Sequence, residues 1–301
     1  VIDLDAFERN LDRMAAKVAG LGVRLRPHAK THKSPVIALK QMARGAVGMC
    51  CQKVSEADAL IRGGVPDVLV SNEIIGRRKV DRLAALAREA KVSICVDAPE
   101  QVGELAAAAA RFRSRLAVLV EIDVGGRRCG VAAGPAVADL ARLVAGEKNL
   151  RFAGLQAYHG SAQHKRTPAE RAEAIGDATA AVEVSLAALG SAGLKADVVS
   201  GAGTGTFELE AASGLWTELQ PGSYIFMDAD YARNRLDGGR PFDTFEHALF
   251  VYASVMSATV PERAVVDAGL KASSVDSGLP KVADDAAGLS AHQFGHVRIL
   301  F

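Results

Sequence analysis

The sequence predicts an α/β fold: a (β/α)8 TIM-like barrel followed by a second, C-terminal β-rich domain. Three observations carry that prediction. Eight short apolar runs alternate with helix-like stretches between residues 23 and 223. Several runs are apolar without a break, as in Leu116-Ala117-Val118-Leu119-Val120, which parallel strands buried on both faces require. Polar residues capable of chemistry follow the runs directly, and a barrel carries its chemistry on the loops after its strands.

Residues 1–4 are strand-like. Asp5 is placed to cap a helix over residues 6–19, with Glu8 three positions on as in a capping box. Strands are expected over residues 23–27, 48–51, 68–71, 92–96, 117–122, 152–157, 197–200 and 218–223. Helices are expected over residues 34–44, 55–62, 76–90, 99–111, 135–145, 168–190 and 206–212. Most of these stretches repeat apolar residues three and four positions apart. Pro99, Pro135 and Pro168 stand near helix starts, where a missing N–H costs nothing. Gly63-Gly64 and Gly193 are helix stops.

After residue 234 the pattern changes. Leu236-Asp237-Gly238-Gly239-Arg240-Pro241 is a turn-rich break, and strands over 250–257 and 264–267 follow without long helices between them. The expected domains are therefore residues 5–234, the barrel, and residues 235–301 together with 1–4, the β-rich domain. The sequence stops inside an apolar run at 297–301, so that domain is expected to be incomplete at its C-terminus. It also begins without a methionine, so a native N-terminus is expected to lie further upstream.

Composition narrows the function classes. There are 36 basic and 35 acidic residues, interspersed, which argues against a nucleic-acid partner. No apolar run reaches the ~18–20 residues of a membrane span. Cys50, Cys51, Cys95 and Cys129 form no CxxC pair and mostly lie in apolar runs, as reduced thiols of a cytoplasmic enzyme do.

Four segments carry candidate chemistry. In Arg26-Pro27-His28-Ala29-Lys30-Thr31-His32-Lys33, three cations and two histidines crowd Lys30. Like-charge repulsion and desolvation lower a lysine's pKa and make its amine a nucleophile able to form a Schiff base. The alternative is a solvated basic loop. Ser200-Gly201-Ala202-Gly203-Thr204-Gly205-Thr206 offers backbone N–H groups and hydroxyls to an anion, and Gly222-Ser223-Tyr224 offers a second set. The loops after strands seven and eight are the usual phosphate site of such barrels. The alternative is a pair of tight turns. Arg128, after Gly125-Gly126, is placed to reach a phenolate or carboxylate oxygen, or to pair with Asp123. Tyr158 and His159 end the sixth strand. Gln52 follows the second, to bond a cofactor or its own loop.

Together these segments resemble the D-threonine aldolase group within the alanine-racemase-like barrel family, beside D-serine dehydratase and 3-hydroxy-D-aspartate aldolase. The likeness rests on residues 26–34, Cys50-Cys51-Gln52-Lys53-Val54-Ser55-Glu56-Ala57, Val120-Glu121-Ile122-Asp123-Val124-Gly125-Gly126, Gln156-Ala157-Tyr158-His159-Gly160, Gly201-Ala202-Gly203-Thr204-Gly205, Leu219-Gln220-Pro221-Gly222-Ser223-Tyr224 and Phe226-Met227-Asp228-Ala229-Asp230-Tyr231. It runs from Val1 to about residue 280.

The resemblance implies a fold-type III pyridoxal 5′-phosphate (PLP) enzyme with the cofactor bound covalently to Lys30. The catalytic residues it implies are Lys30, His28, Arg128 and His159. The cofactor-binding set is Lys30, Gln52, Arg128, Tyr158, Ser200, Gly201, Gly203, Thr204, Gly222, Ser223 and Tyr224. The implied activity is retro-aldol cleavage of β-hydroxy-D-amino acids to glycine and an aldehyde. The alternatives on the same scaffold are a D-serine or 3-hydroxy-D-aspartate dehydratase and a 3-hydroxy-D-aspartate aldolase.

The family also uses a divalent metal, Mn, Mg or similar, held by a Pro-Gly-His-Cys-Asp segment. No such segment occurs in this sequence, and His292 and His296 match nothing else of it, so no metal ligand is assigned. The partner implied is a small-molecule substrate, in a homodimer whose partner subunit completes the site, with residues 268–278 and Asp276 as a candidate loop.

Overall fold

The computed structural model describes residues 1–269, 271–273, 275, 278–283 and, for their backbone, 296–300. Asp276 and His292 lie outside the described residues.

Eight parallel strands alternate with helices. The strands are β1 (Arg24–Leu25), β2 (Met49–Cys51), β3 (Asp67–Val70), β4 (Lys91–Val96), β5 (Leu116–Glu121), β6 (Leu150–Ala157), β7 (Val198–Gly201) and β8 (Glu218–Leu219). The helices are α1 (Leu4–Leu21), α2 (Pro35–Met42), α3 (Val54–Arg62), α4 (Arg77–Leu86), α5 (Pro99–Phe112), α6 (Pro135–Gly146), α7 (Pro168–Ser191) and α8 (Phe207–Ala212). The sheet order is β1-β8-β7-β6-β5-β4-β3-β2. It closes on itself where His28 bridges Cys50 in parallel and the Cys50 N–H donates to Pro27 O at 2.8 Å. Each barrel strand follows a helix, the spacing a parallel crossover needs. α5, α6 and α7 begin at their prolines, and α3 ends on Gly63, with Gly64 at φ +98°.

Two local expectations are corrected. α1 is capped by Asp3, whose Oδ1 accepts from Ala6 N at 3.0 Å, and Asp5 sits inside its first turn. The eighth strand stops at Leu219, and Ser223–Ile225 form a 3-10 turn. Pro221, which has no N–H to give a ladder, stands between them.

Inside the barrel, Cys50, Leu69, Cys95, Leu119 and Ala153 pack as one core cluster. Beside it runs a buried polar chain that periodicity does not announce. Arg26 donates to Asp67 at 2.7 Å and to Glu218 at 2.9 Å. Ser200 Oγ donates to Glu218 at 2.9 Å and accepts from Gln220 at 2.7 Å, and Gln220 pairs with Gln156. Buried polar groups are tolerable only when satisfied in this way.

The chain forms two compact units, residues 15–165 with 169–222, and residues 1–14 with 166–168 and 223–301. The second unit carries β9 (Val251–Val260), β10 (Arg263–Val266), β11 (Lys281–Val282) and β12 (His296–Leu300), antiparallel in the order β10-β9-β12-β11. Ile2 bridges Leu249 within it.

Candidate active site

The loops after the barrel strands bring several expected residues together. Lys30 lies in a 3-10 turn, Ala29–Thr31, directly after β1. Its backbone N–H donates to His28 Nδ1 at 3.2 Å, while His28 Nε2 lies 3.2 Å from Ser71 Oγ. An Nδ1 that accepts leaves the proton on Nε2, which therefore donates to Ser71. His28 is buried, and burial, reinforced by Lys30 and Arg128, holds its pKa well below the ordinary histidine range. It is a neutral imidazole with both nitrogens engaged.

The Lys30 amine stands 5.4 Å from the centroid of the Tyr158 ring, and the Arg128 guanidinium carbon 5.9 Å from the same centroid. Lys30 keeps solvent-accessible surface. Protein nevertheless surrounds its amine closely enough that desolvation, with Arg128 second, lowers its pKa. The direction and the two causes match the expectation, but the repelling cation is Arg128 instead of Arg26 or Lys33. Arg26 points into the barrel toward Asp67 and Glu218, and Lys33 pairs with Glu56 at 3.3 Å. Neither presses on Lys30, because Arg26 is held by its carboxylates inside the barrel and Lys33 by Glu56.

Arg128 pairs with Glu121, not Asp123: Nη2 donates to Glu121 Oε1 at 3.2 Å. Asp123 instead accepts from the N–H groups of Gly125 and Arg127, closing its own loop. A cavity of about 140 Å³ is lined by Glu121, Arg128, Cys129, Tyr158 and Gly160. Burial raises the Tyr158 pKa, so it stays a phenol. His159 packs over Gly125, where a Cβ would lie 2.9 Å from its Nε2, and its Nδ1 sits 3.3 Å from Ser161 Oγ. Its pKa is lowered, by burial first and Lys165 second.

The Gly-rich loop is stapled by Gln163, which the sequence reading missed. Its Oε1 accepts from Gly205 N at 2.9 Å, and its Nε2 donates to Thr206 Oγ1 at 2.7 Å. The N–H groups of buried Gly203 and Gly222 have no acceptor among the described residues. Buried backbone donors are rarely left unpaired, so two of them on the loops after β7 and β8 suit an anion. Gly222 is tightly enclosed: a Cβ would lie 2.8 Å from His28 O and 2.9 Å from Thr31 Oγ1. Thr204 is buried beside Gly203. Tyr224 is buried too, its ring 5.5 Å from that of Phe245.

Three expected residues also have bonds or packing of their own. The Ser200 hydroxyl is committed to the barrel's polar chain. Gly201 serves close packing, since a Cβ would lie 2.0 Å from Ala157 O. Gln52 donates its backbone N–H to Glu56 at 2.9 Å, within its own loop.

Glu73, Asp97 and Cys129 each bring one ligand-capable atom within 4.8 Å of the others. For a hard cation such as Mn or Mg they are a poor donor set, because one of the three is a thiol. Both Asp97 oxygens already accept, from Gln101 at 2.8 Å and Gly130 N at 3.0 Å. Burial, then Glu73, pushes the Cys129 thiol up to about 11 and the Glu121 carboxyl to about 8. Glu121 Oε2 and both Glu73 oxygens are buried without a donor. A proton held on Glu121 supplies one.

A closed parallel barrel with a low-pKa lysine after its first strand, and anion-ready glycines after its seventh and eighth, defines the class. The alanine racemase N-terminal domain matches residues 2–230, and the putative serine dehydratase domain matches residues 248–298. The chain belongs to this alanine-racemase-like family of PLP enzymes.

Within it, the chain is 47% identical to D-threonine aldolase of Arthrobacter sp over 282 residues, covering 94% of this chain and 74% of that protein. It is 48% identical to 3-hydroxy-D-aspartate aldolase of Paracoccus denitrificans (strain Pd 1222), with the same two coverages. The crystal structure of D-threonine aldolase from Filomicrobium marinum superposes with a TM-score of 0.95 at 46% identity, covering 100% of this chain and 85% of that one.

Proposed function

We propose that this chain is a PLP-dependent aldolase that cleaves β-hydroxy-D-amino acids such as D-threonine to glycine and an aldehyde. The observation that carries the reading is the arrangement of the Lys30 amine and the Arg128 guanidinium about the Tyr158 ring, at 5.4 and 5.9 Å. The two relatives and the superposed structure are all named aldolases, which favours carbon–carbon cleavage over dehydration.

In this reading Lys30 holds the cofactor covalently. Gly203 and Gly222 give their unpaired N–H groups to its phosphate. Thr204 lies beside the first, and Ser223 and Tyr224 follow the second in the chain. PLP, when bound, supplies a sink for the electrons of the broken Cα–Cβ bond.

The protein's own contributions follow from its geometry. Burial and Arg128 keep a fraction of Lys30 unprotonated and nucleophilic. Neutral His28 fixes the turn that presents Lys30. Arg128 stays a cation, opposite wherever an anionic oxygen lies. His159, its pKa lowered, is the candidate for moving the proton of the substrate's β-hydroxyl. Among the described residues only Glu73, Asp97 and Cys129 come together as possible metal donors, and the thiol suits the family's divalent metal poorly.

A homodimer in the cytoplasm completes the proposal. The four cysteines are unpaired thiols, and no described helix is long and apolar enough to cross a membrane.

The deciding experiment is the visible spectrum of the purified protein beside Lys30→Ala, with products assayed after adding D-threonine. A cofactor band that Lys30→Ala lacks, with glycine and acetaldehyde formed, is expected. Ammonia and a keto acid would move the assignment to a dehydratase. No band after PLP is supplied would sink the cofactor reading.

A further inference from the structure

The barrel has a second mouth. A cavity of about 420 Å³ opens at the starts of the strands, lined by residues such as Arg24 of β1, Lys91 of β4 and Val198 of β7. The loops carrying Lys30 and Arg128 follow the other ends of the strands. Barrel interiors are normally filled by layers of large branched side chains. Here β4, β5, β6 and β7 present Ser93, Ala117, Ala153 and Val198, which leave the space open.

Charge is distributed unevenly around this opening. Arg26 takes both carboxylates of the cavity, Asp67 at 2.7 Å and Glu218 at 2.9 Å. The side chains of Arg24, Lys91 and Arg115 on the exposed rim have no hydrogen-bond or ion-pair partner among the described residues. Arg151 reaches only Asp197, at 3.4 Å. A second concavity shares Arg115 and adds Arg88 and Arg113, likewise unpaired among the described residues. The chain's formal net charge is only +1, so the concentration is local. It comes from positions far apart in sequence, brought to one rim by the parallel topology.

We propose that this mouth binds a small organic polyphosphate of nucleotide size. Guanidinium forks match phosphate oxygens in pairs, and a cleft lined by one sign of charge focuses its field on an anion. The volume falls in the range of small-molecule sites, ~300–1,000 Å³. Ala117 and Val198, both partly exposed, provide an apolar floor for the organic part. The site shares no lining residue with the Lys30 site, so the two proposals stand or fall separately.

The test is calorimetric titration of the PLP-loaded enzyme with ATP, and separately with tripolyphosphate, at about 0.15 M salt, where weak long-range attraction is screened. Saturable binding of both is expected. The double variant Arg24→Ala/Arg115→Ala should weaken both at least tenfold, with cofactor spectrum and cleavage rate unchanged. Ala117→Leu, which fills the cavity and keeps the cations, should weaken ATP more than tripolyphosphate. No saturable heat with either probe overturns the proposal. So does affinity that the double variant leaves intact, or ATP binding indifferent to Ala117→Leu.

Discussion

Arg128 Nη2 donates to Glu121 Oε1 at 3.2 Å, and the carboxyl it leans on is itself pushed up to about 8. Burial is the main cause, Glu73 adds to it, and Arg128 only partly opposes it. The guanidinium is therefore anchored by a group that carries a proton at neutral pH, and much of its positive charge remains for the Tyr158 side.

This pair predicts a pH dependence of stability. The folded state holds a proton on Glu121 that the unfolded chain releases near 4.5. Between that value and about 8 the folded state binds more protons, so stability falls as pH rises and the fall ends above about 8. Glu121→Gln should flatten that slope. Thermal melts across the window check it; an unchanged slope in the variant would place the titration elsewhere.

Arg128→Lys keeps the charge but loses the planar fork that spans Glu121 and the Tyr158 face. We expect kcat/KM for D-threonine to drop by about tenfold or more, roughly 1.4 kcal/mol of transition-state stabilisation. Steady-state kinetics beside a spectrum with normal cofactor occupancy separates this from lost binding.

Two glycines should respond in opposite ways to alanine. At Gly222 the new methyl meets His28 O and Thr31 Oγ1 below 3 Å, so PLP retention should weaken about tenfold or more. At Gly176, an exposed position inside α7, nothing lies within 4 Å, and the change should stabilise by about 0.5–1 kcal/mol. Cofactor titration reads the first and urea unfolding the second.

Arg26→Met leaves Glu218 and Asp67 without their shared cation, Glu218 almost fully buried. Breaking a buried pair from one side costs about 3–5 kcal/mol. Urea unfolding should show that loss. A variant as stable as the parent would overturn the role given to this pair.

Much of this molecule was legible in its residues. Apolar runs of strand length, spaced by amphipathic stretches, announced the parallel barrel, because burial on two faces demands unbroken apolar strands. Helix starts at Pro99, Pro135 and Pro168 follow from proline's missing donor. Lys30, Arg128, Tyr158 and the glycine loops could be picked out as candidates because each follows a strand, where the fold gathers chemistry.

Partner choice was not legible. Nothing local says that Arg26, four residues from Lys30, turns into the barrel toward Glu218, or that Arg128 prefers Glu121 to the nearer Asp123. Gln163, Ser71 and Glu73 carry no motif, yet they meet the site because closure brings separate loops to one rim. The sequence by itself determined the order and type of elements, since backbone hydrogen bonding and hydrophobic period are local properties. Only the tertiary structure decided which charges pair and which stay free, since distance and desolvation between remote residues exist only once the barrel is closed.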